Sequence, residues 1–206
     1  GKNRLGIGFQ ATYGNRRINP ARLTFANQFT SGGFDTNLPT GEASLNNLKP
    51  FMDVNTGIVY SHQSETNFFQ INASVFHLAR PRQTTLNDDN SRIARRYSLQ
   101  AGGDLKIDAS GNRVMFSGLF MEQGGATEYN IGGAYGYSLS NNEVERFLYG
   151  GVFYRVNDAV YPYMSYKVEN WQVSLSYDAV VSSLKEASPK NGSFEISFLY
   201  IGKKKK

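Results

Sequence analysis

The feature that most constrains this chain is a strict alternation of apolar and polar residues near its C-terminal end. Residues 171–178 read WQVSLSYD, and residues 193–200 read SFEISFLY. A period of two places Leu175 on one face of a strand, and Ser174 and Ser176 on the opposite face. Both segments therefore predict strands with one apolar face, which has to be covered either by a protein core or by lipid.

The composition indicates how such a chain would span a membrane. Hydrophobic residues make up 40% of the 206 residues and charged residues 19%. No apolar run approaches the roughly 20 residues that a membrane-spanning helix needs, whereas a barrel strand needs only about 9–11 alternating residues. A membrane-spanning form of this chain is therefore predicted to be a β-barrel, and a soluble β-sandwich remains the alternative.

Several kinds of site find no support in the sequence. The chain has no cysteine, which excludes disulfides and thiolate metal sites. Four units of the net charge of +5 come from Lys203–Lys206, so a nucleic-acid partner is not expected. We find no metal-ligand spacing and no phosphate-binding loop, and we expect no cofactor. His62 lies in a polar turn and His77 at a strand end, where histidine is far more often structural than catalytic, so we expect no enzymatic activity.

Ten segments fit antiparallel strands, and none is a convincing helix. The prediction is an all-β fold: an antiparallel transmembrane outer-membrane β-barrel of about ten strands, in a single domain over residues 1–206. The ninth and tenth segments, like the first, alternate cleanly between apolar and polar residues, whereas the fifth and seventh segments are apolar on both faces. Their inward faces are therefore not decided by the pattern. The ten segments are 4–13, 51–61, 68–77, 97–107, 113–121, 128–139, 146–155, 160–168, 171–178 and 193–201.

We predict which side chains face outward from the strict alternation of the clearest strands. Outward residues in a membrane barrel are apolar, and inward residues are polar. The predicted outward set is Leu5, Ile7, Phe9, Leu99, Val173, Leu175, Ile196 and Phe198.

The connections between these strands differ in length in a regular way. Residues 15–49, 79–96 and 179–192 form long connections, and they alternate along the chain with short ones such as 108–112 and 169–170. Outer-membrane barrels have long extracellular loops and short periplasmic turns. Residues 156–159 break the rule, because this connection is short on the long-loop side. Aromatic residues near both ends of the strands fit two interfacial belts: Tyr13, Tyr97 and Tyr177 at the long-loop ends, and Tyr60, Tyr137, Trp171 and Tyr200 at the short-turn ends.

An ordered series of short motifs resembles a known family. The series runs through much of the chain, and no single motif in it is decisive. On these motifs the chain resembles the PorP/SprF membrane proteins of the type IX secretion and gliding system of Bacteroidetes. The motifs are YGNRRIN at 13–19, LTF at 23–25, GFD at 33–35, DVNTG at 53–57, HLARP at 77–81, FYRVNDA at 153–159, LSYD at 175–178, SSL at 182–184 and GSFEIS at 192–197.

The resemblance implies an outer-membrane β-barrel without enzymatic activity that accompanies type IX secretion. It implies three kinds of partner: a secreted surface protein or adhesin held at the cell surface, other type IX secretion components, and outer-membrane lipid. Family members begin with a signal peptide, an early Asn-Pro-Ala segment and several further strands, none of which precedes Gly1 here. We therefore expect residues 1–206 to be the C-terminal part of a larger barrel that does not close by itself.

Charged residues on the polar faces of the strands are the first group of candidate site residues. Charges inside a barrel need partners, so we favour ion pairs that hold strands together over a polar conduit or the seat of a plug. The candidates are Asp104, Lys106, Arg155, Asp178 and Glu195.

The long connections supply the second group, the candidate partner-binding residues. Residues 15–49 contain too many apolar side chains to hang free in water, so they either cover the barrel mouth or contact a protein. Residues 79–96 are rich in arginine around Asp88 and Asp89, which fits a protein surface, a solvated loop or a contact with anionic glycolipid. We predict that a secreted protein binds Phe29, Phe34, Leu38, Arg80, Arg82 and Arg95.

Two other functions compete with surface anchoring. The first is a general porin or small-solute channel, which would conduct ions after reconstitution. The second is a soluble β-sandwich binding module, which would not need detergent and would pack Leu175 and Phe198 between two sheets.

Overall fold

The computed structural model describes residues 1–19, 22–42, 48–84, 90–141, 144–183 and 192–202. The described residues are mostly strands, and a three-residue 3-10 helix lies at Ala26–Gln28. Two strands of two residues each, β2 (Phe29–Thr30) and β3 (Gly33–Phe34), pair with one another. The ten longer strands are β1 (Lys2–Gly14), β4 (Phe51–Gln63), β5 (Phe68–Phe76), β6 (Arg96–Lys106), β7 (Arg113–Gln123), β8 (Ala126–Ser138), β9 (Arg146–Arg155), β10 (Ala159–Val168), β11 (Trp171–Val180) and β12 (Gly192–Tyr200).

The ten longer strands form one sheet in which every neighbour in space is also the next long strand in the chain. The order is β1-β4-β5-β6-β7-β8-β9-β10-β11-β12. The registers of β7 to β12 are antiparallel throughout; Leu175, for example, pairs with Met164 on one side and Ile196 on the other. The predicted all-β antiparallel fold and its ten strands are confirmed. In the described residues β1 and β12 are the two edges of this sheet, so closure into a barrel stays a prediction.

The connections alternate between two ends of the strands, which we name the long-loop end and the short-turn end. The long-loop end carries 15–50, 77–95 and 181–191, and the short-turn end carries 64–67 and 169–170 among others. The long-loop end also has two tight hairpins. One is 156–158, and the other is only Gly124–Gly125, whose positive φ angles of 60° and 87° suit a two-residue turn. Long loops therefore occupy three of the five connections at that end.

Burial in the sheet is inverted relative to a soluble protein. The apolar face is exposed: Phe198 retains 65% of its accessible surface, and all eight residues predicted to face outward are exposed. The buried residues on the opposite face include polar ones, such as Ser165 and Ser174. Because Leu175 and Phe198 are exposed, they do not pack between two sheets as a soluble sandwich requires.

The sheet also shows which residues of β7 and β9 face inward, which the alternation in the sequence did not decide. In β7, Met115 points to the polar face and pairs with Ala134, and in β9, Phe147 and Tyr149 point to the same face and are buried. These four residues form the small apolar core of the protein, together with Tyr163. Large apolar residues therefore occur on both faces of β9, and only the neighbouring strands decide which of them are covered.

The chain divides into two compact units. The larger unit comprises Gly1–Ile7, Gly57–Ser74 and Tyr97–Lys206, and the smaller unit comprises Gly8–Thr56 and Val75–Arg96. The larger unit contains β6 to β12 apart from the first residue of β6, and the smaller unit contains the two longest connections. No helix among the described residues is long and apolar enough to cross a membrane.

Candidate functional site

A small hairpin in the first long connection presents two exposed aromatic rings. Phe29 and Phe34 are register partners in the β2–β3 ladder, and their ring centroids lie 5.0 Å apart in an edge-to-face arrangement. They retain 65% and 55% of their accessible surface. The turn between them is closed by Thr30, whose hydroxyl donates to the Gly33 carbonyl at 2.9 Å. Two of the predicted partner-binding residues thus form one exposed apolar feature.

The segment that carries the hairpin is held together by one buried side-chain amide. Gln28 retains only 2% of its accessible surface. Its side-chain oxygen accepts from the Phe25 amide at 3.1 Å, and its side-chain nitrogen donates to the Leu38 carbonyl at 2.9 Å. Its main-chain carbonyl accepts from the Asp35 amide at 2.9 Å. One residue therefore ties together both ends of the segment 25–38, including Leu38, the third predicted apolar contact.

The arginines of the second long connection lie on a short antiparallel stem. Arg82 and Arg92 form an isolated bridge across it, and all four arginines between 80 and 95 are exposed. Arg95 is held at the base of the stem, because its Nε and one terminal nitrogen contact the Leu78 carbonyl at 3.4 and 3.3 Å. Arg80, Arg82 and Arg95 are accessible to a partner, and their binding role stays a prediction. Asp88 and Asp89 lie outside the described residues.

The start of this connection is fixed by a buried aspartate. Asp53 in β4 retains 2% of its accessible surface, and its Oδ2 lies 2.6 Å from the Nδ1 of His77. The His77 amide donates to the Asn55 side chain at 2.9 Å, and Asn55 donates in turn to Gln10 at 3.1 Å. His77 has a φ of 57°, which a side chain tolerates only when its surroundings hold it. His77 thus fixes the start of this connection to β4.

The predicted interior charge Asp104 belongs to a partly buried network near the short-turn end, which we name the short-turn cluster (Asp104, Arg113 and Tyr149). Arg113 Nε donates to Asp104 Oδ1 at 2.7 Å, and the Tyr149 hydroxyl donates to Asp104 Oδ2 at 3.0 Å. A second Arg113 nitrogen donates to the Thr66 carbonyl at 2.6 Å. Gly136 leaves room for the Tyr149 ring, since a Cβ there would lie 2.5 Å from it. The network links β6, β7 and β9 across the polar face.

A second network, the long-loop cluster (Glu128, Arg155, Asp158 and Asp178), lies near the opposite ends of the strands. Arg155 donates to Asp158 at 2.7 Å and to Asp178 at 3.0 Å, and it lies 3.9 Å from Glu128. The Asp158 carbonyl accepts from the amides of residues 181 and 182, so this cluster also positions the start of the last long connection. The two predicted charges Arg155 and Asp178 are thus brought together.

The remaining two predicted interior charges have different surroundings. Glu195 is exposed on β12 and shares a cavity of about 170 Å³ with Arg155 and Asp178. Lys106 is exposed at the last position of β6, and its main-chain amide donates to the side-chain oxygen of Asn67 at 2.8 Å. The structure does not assign a function to the five predicted interior charges, and their roles stay predictions.

A cavity of about 350 Å³, lined by polar and aromatic side chains, lies on the inward face of the larger unit. Side chains from seven consecutive strands, β6 to β12, line it, so the sheet curves around this space. The wall is built from satisfied polar groups: the Tyr161 hydroxyl donates to Asn130 at 2.5 Å, and Gln172 donates to Tyr163 and Ser165 at 3.0 and 2.9 Å. Interiors lined by polar side chains are typical of membrane barrels.

Sequence reasoning missed three residues that organise these sites. Arg113 and Tyr149 lie on the two strands whose inward face the pattern left open, so no signal in the sequence assigned them to the interior. Gln28 was missed because a polar residue in a long connection is expected to be solvated. Only the structure shows that the Gln28 side chain accepts from the Phe25 amide three residues earlier and so closes the turn.

Comparison with known proteins gives a consistent result. No curated protein and no solved structure matches this chain. The family model of the type IX secretion system membrane protein PorP/SprF matches residues 1–200, which is nearly the whole chain. With its all-β antiparallel sheet and its exposed apolar face, this chain therefore belongs to the PorP/SprF family of type IX secretion system membrane proteins.

Proposed function

We propose that this protein is a non-catalytic outer-membrane β-barrel that holds a secreted protein at the cell surface through its long-loop end. The observation that carries the proposal is the exposed aromatic pair Phe29 and Phe34, displayed by a connection at that end of the strands. Loops on a rigid scaffold are where binding residues concentrate, and exposed aromatic rings are common interface anchors. Membership of a type IX secretion family makes a secreted protein the natural partner.

The membrane part of the proposal rests on the inverted burial of the sheet. An apolar face that stays exposed on most strands of the sheet is unfavourable in water and suits the lipid of a bilayer. The polar face, with its ion pairs and its cavity, would then line the interior. The aromatic residues at both strand ends, including Tyr13, Tyr97 and Trp171, would lie at the two interfaces.

Two neighbouring residues test the lipid-facing assignment with the same substitution. Leu175→Arg places a charge on the exposed apolar face and should lower the unfolding free energy in lipid by about 2–4 kcal/mol. Ser176→Arg, the matched control, points inward and faces Glu195 across the ladder, so its cost should be smaller. The measurement is urea unfolding of the protein inserted into vesicles. Equal costs at the two positions would contradict the assignment.

The anchoring role is tested by deleting Thr30–Thr40 from the full-length protein. We expect the variant to insert into the outer membrane while the secreted protein is lost from the cell surface, as measured by surface proteolysis and mass spectrometry. If the loop only covers the barrel mouth, the secreted protein stays attached and ion conductance in planar bilayers rises. Conductance of the undeleted protein itself would favour the porin alternative. Retention of the secreted protein by a correctly inserted deletion variant would refute the proposal.

A further inference from the structure

We infer that the segment 25–38 is a preformed docking element whose aromatic pair enters an apolar recess on an acidic region of the secreted partner, and that Gln28 is its positioning residue. The inference rests on the proposed function and adds the chemistry of the partner and the means of display. The structure describes every residue of the segment 25–38.

The first step is that the segment is closed upon itself. Gln28 links Phe25 to Leu38 through both atoms of its amide, and its own carbonyl receives the Asp35 amide. Asp35 in turn accepts from the Asn37 amide at 2.9 Å, and the Leu38 amide donates to the Asp35 carbonyl at 3.2 Å. These bonds fix the segment without help from the distant chain. A loop that is ordered before binding loses less conformational entropy when the complex forms.

The second step is that this closed segment does not bury its own aromatic side chains. A local aromatic cluster normally hides its rings, yet Phe29 and Phe34 remain more than half exposed while Gln28 beneath them is buried. The usual burial of glutamine and phenylalanine is thus reversed. The hydrogen bonds of Gln28 stabilise the loop, and the two rings contribute an apolar surface that no described part of the smaller unit covers. We therefore assign the rings to a partner.

The third step concerns the charge of that partner. The two long connections in the smaller unit, 15–50 and 77–95, contain eight arginines and lysines against four aspartates and glutamates. The exposed cations include Arg16, Arg17, Arg80 and Arg95. Positively charged connections that also display an apolar anchor steer and select an acidic partner surface. The occupant that fits both features is a secreted protein with an acidic region around an apolar recess.

Site-specific crosslinking in the full-length protein identifies the occupant. Benzoylphenylalanine replaces Phe34 in one strain and Phe9, on the outward face of β1, in a control strain. Irradiated cells are analysed by mass spectrometry. We expect position 34 to crosslink a secreted protein of acidic surface and position 9 to crosslink none. Crosslinks at position 34 to glycolipid, to a second copy of this chain or to no protein would overturn the inference.

The secreted protein that the crosslink identifies is then purified in its unmodified form and used as the probe for binding to the full-length protein in vesicles. We expect Phe29→Ala with Phe34→Ala to weaken binding about thirtyfold or more, as for interface anchors. Gln28→Glu, which keeps size but replaces the donor facing the Leu38 carbonyl, should weaken it while both rings remain. The control Phe9→Ala removes a ring that is even more exposed than Phe29 and Phe34, and it should leave the dissociation constant unchanged. Binding should also weaken when the salt concentration rises.

The outcomes separate this inference from the anchoring proposal. If deleting Thr30–Thr40 releases the secreted protein but the ring variants and Gln28→Glu bind as the wild type does, anchoring stands and the docking element is refuted. If the deletion itself releases nothing, anchoring is refuted as well. Binding that is independent of salt would refute the acidic partner, and an effect of the ring variants without an effect of Gln28→Glu would refute the positioning role.

Discussion

The short-turn cluster and the long-loop cluster each hold one guanidinium on the inward face, yet they are built differently. In the short-turn cluster one carboxylate balances Arg113, and the paired side chains are only 14% and 23% exposed. In the long-loop cluster three carboxylates surround Arg155, and the side chains are 27% to 41% exposed. Charges screened by solvent contribute little to stability, whereas breaking a buried pair is costly. The cluster with fewer ion pairs should therefore hold the sheet more strongly.

Asp104→Ala tests the stronger cluster and should have the largest effect. It leaves the Arg113 charge without its carboxylate and the Tyr149 hydroxyl without its acceptor. We expect the unfolding free energy to fall by about 3 kcal/mol in urea titrations of the vesicle-inserted protein. Asp104→Asn, the control, keeps an acceptor for Tyr149 and should cost less. A loss for Asp104→Ala no greater than that for Arg155→Ala would reverse the comparison.

Tyr149→Phe removes one hydrogen bond from the same cluster and leaves the ring packed in the core beside Ala134 and Phe147. A hydrogen bond to a charged group contributes about 1.5–3 kcal/mol. Because Asp104 keeps its Arg113 partner, we expect a loss near the lower value. Tm in the same vesicles measures it. An unchanged Tm would mean that the Tyr149 hydroxyl does not stabilise the interior.

Arg155→Ala tests the weaker cluster. It removes the common partner of Glu128, Asp158 and Asp178, whose side chains are partly solvated. We expect a loss of about 1 kcal/mol or less that shrinks further in concentrated salt, since screening weakens exposed charges. The loss for Asp104→Ala should be insensitive to salt. Urea unfolding at low and high salt compares them, and equal salt dependence would remove the distinction between the clusters.

The smallest effect is expected outside both clusters, in the turn 107–112. Hydrogen bonds from the Asn112 side chain and from turn amides lower the pKa of Asp108 from its ordinary value of 3.8. A lowered pKa contributes stability above the ordinary value, and this contribution is lost as the pH falls through the lowered value. The wild type should therefore lose slightly more unfolding free energy between neutral and strongly acidic pH than Asp108→Asn does. Unfolding midpoints at several pH values measure this, and a larger loss for Asp108→Asn would contradict the sign.

Much of the fold could be predicted from the sequence because the strands are the clearest part of the pattern. Strands β11 and β12 alternate strictly, and their observed bounds, Trp171–Val180 and Gly192–Tyr200, differ from the prediction by two residues or fewer. The candidate site was predicted only in part. Phe29 and Phe34 were chosen for being apolar in a long connection, but their pairing across a two-residue ladder depends on a turn that periodicity does not encode.

The sequence by itself determined the ten strands and their apolar faces, because a period of two along a strand is a local property, and its ordered motifs indicated the family. Only the tertiary structure decided the inward face of β7 and β9, the network that joins Asp104, Arg113 and Tyr149, and the burial of Gln28 beneath two exposed rings. These features depend on residues far apart in the chain or on one polar side chain whose partners are main-chain atoms. Such contacts are fixed by packing, and no repeat in the sequence records them.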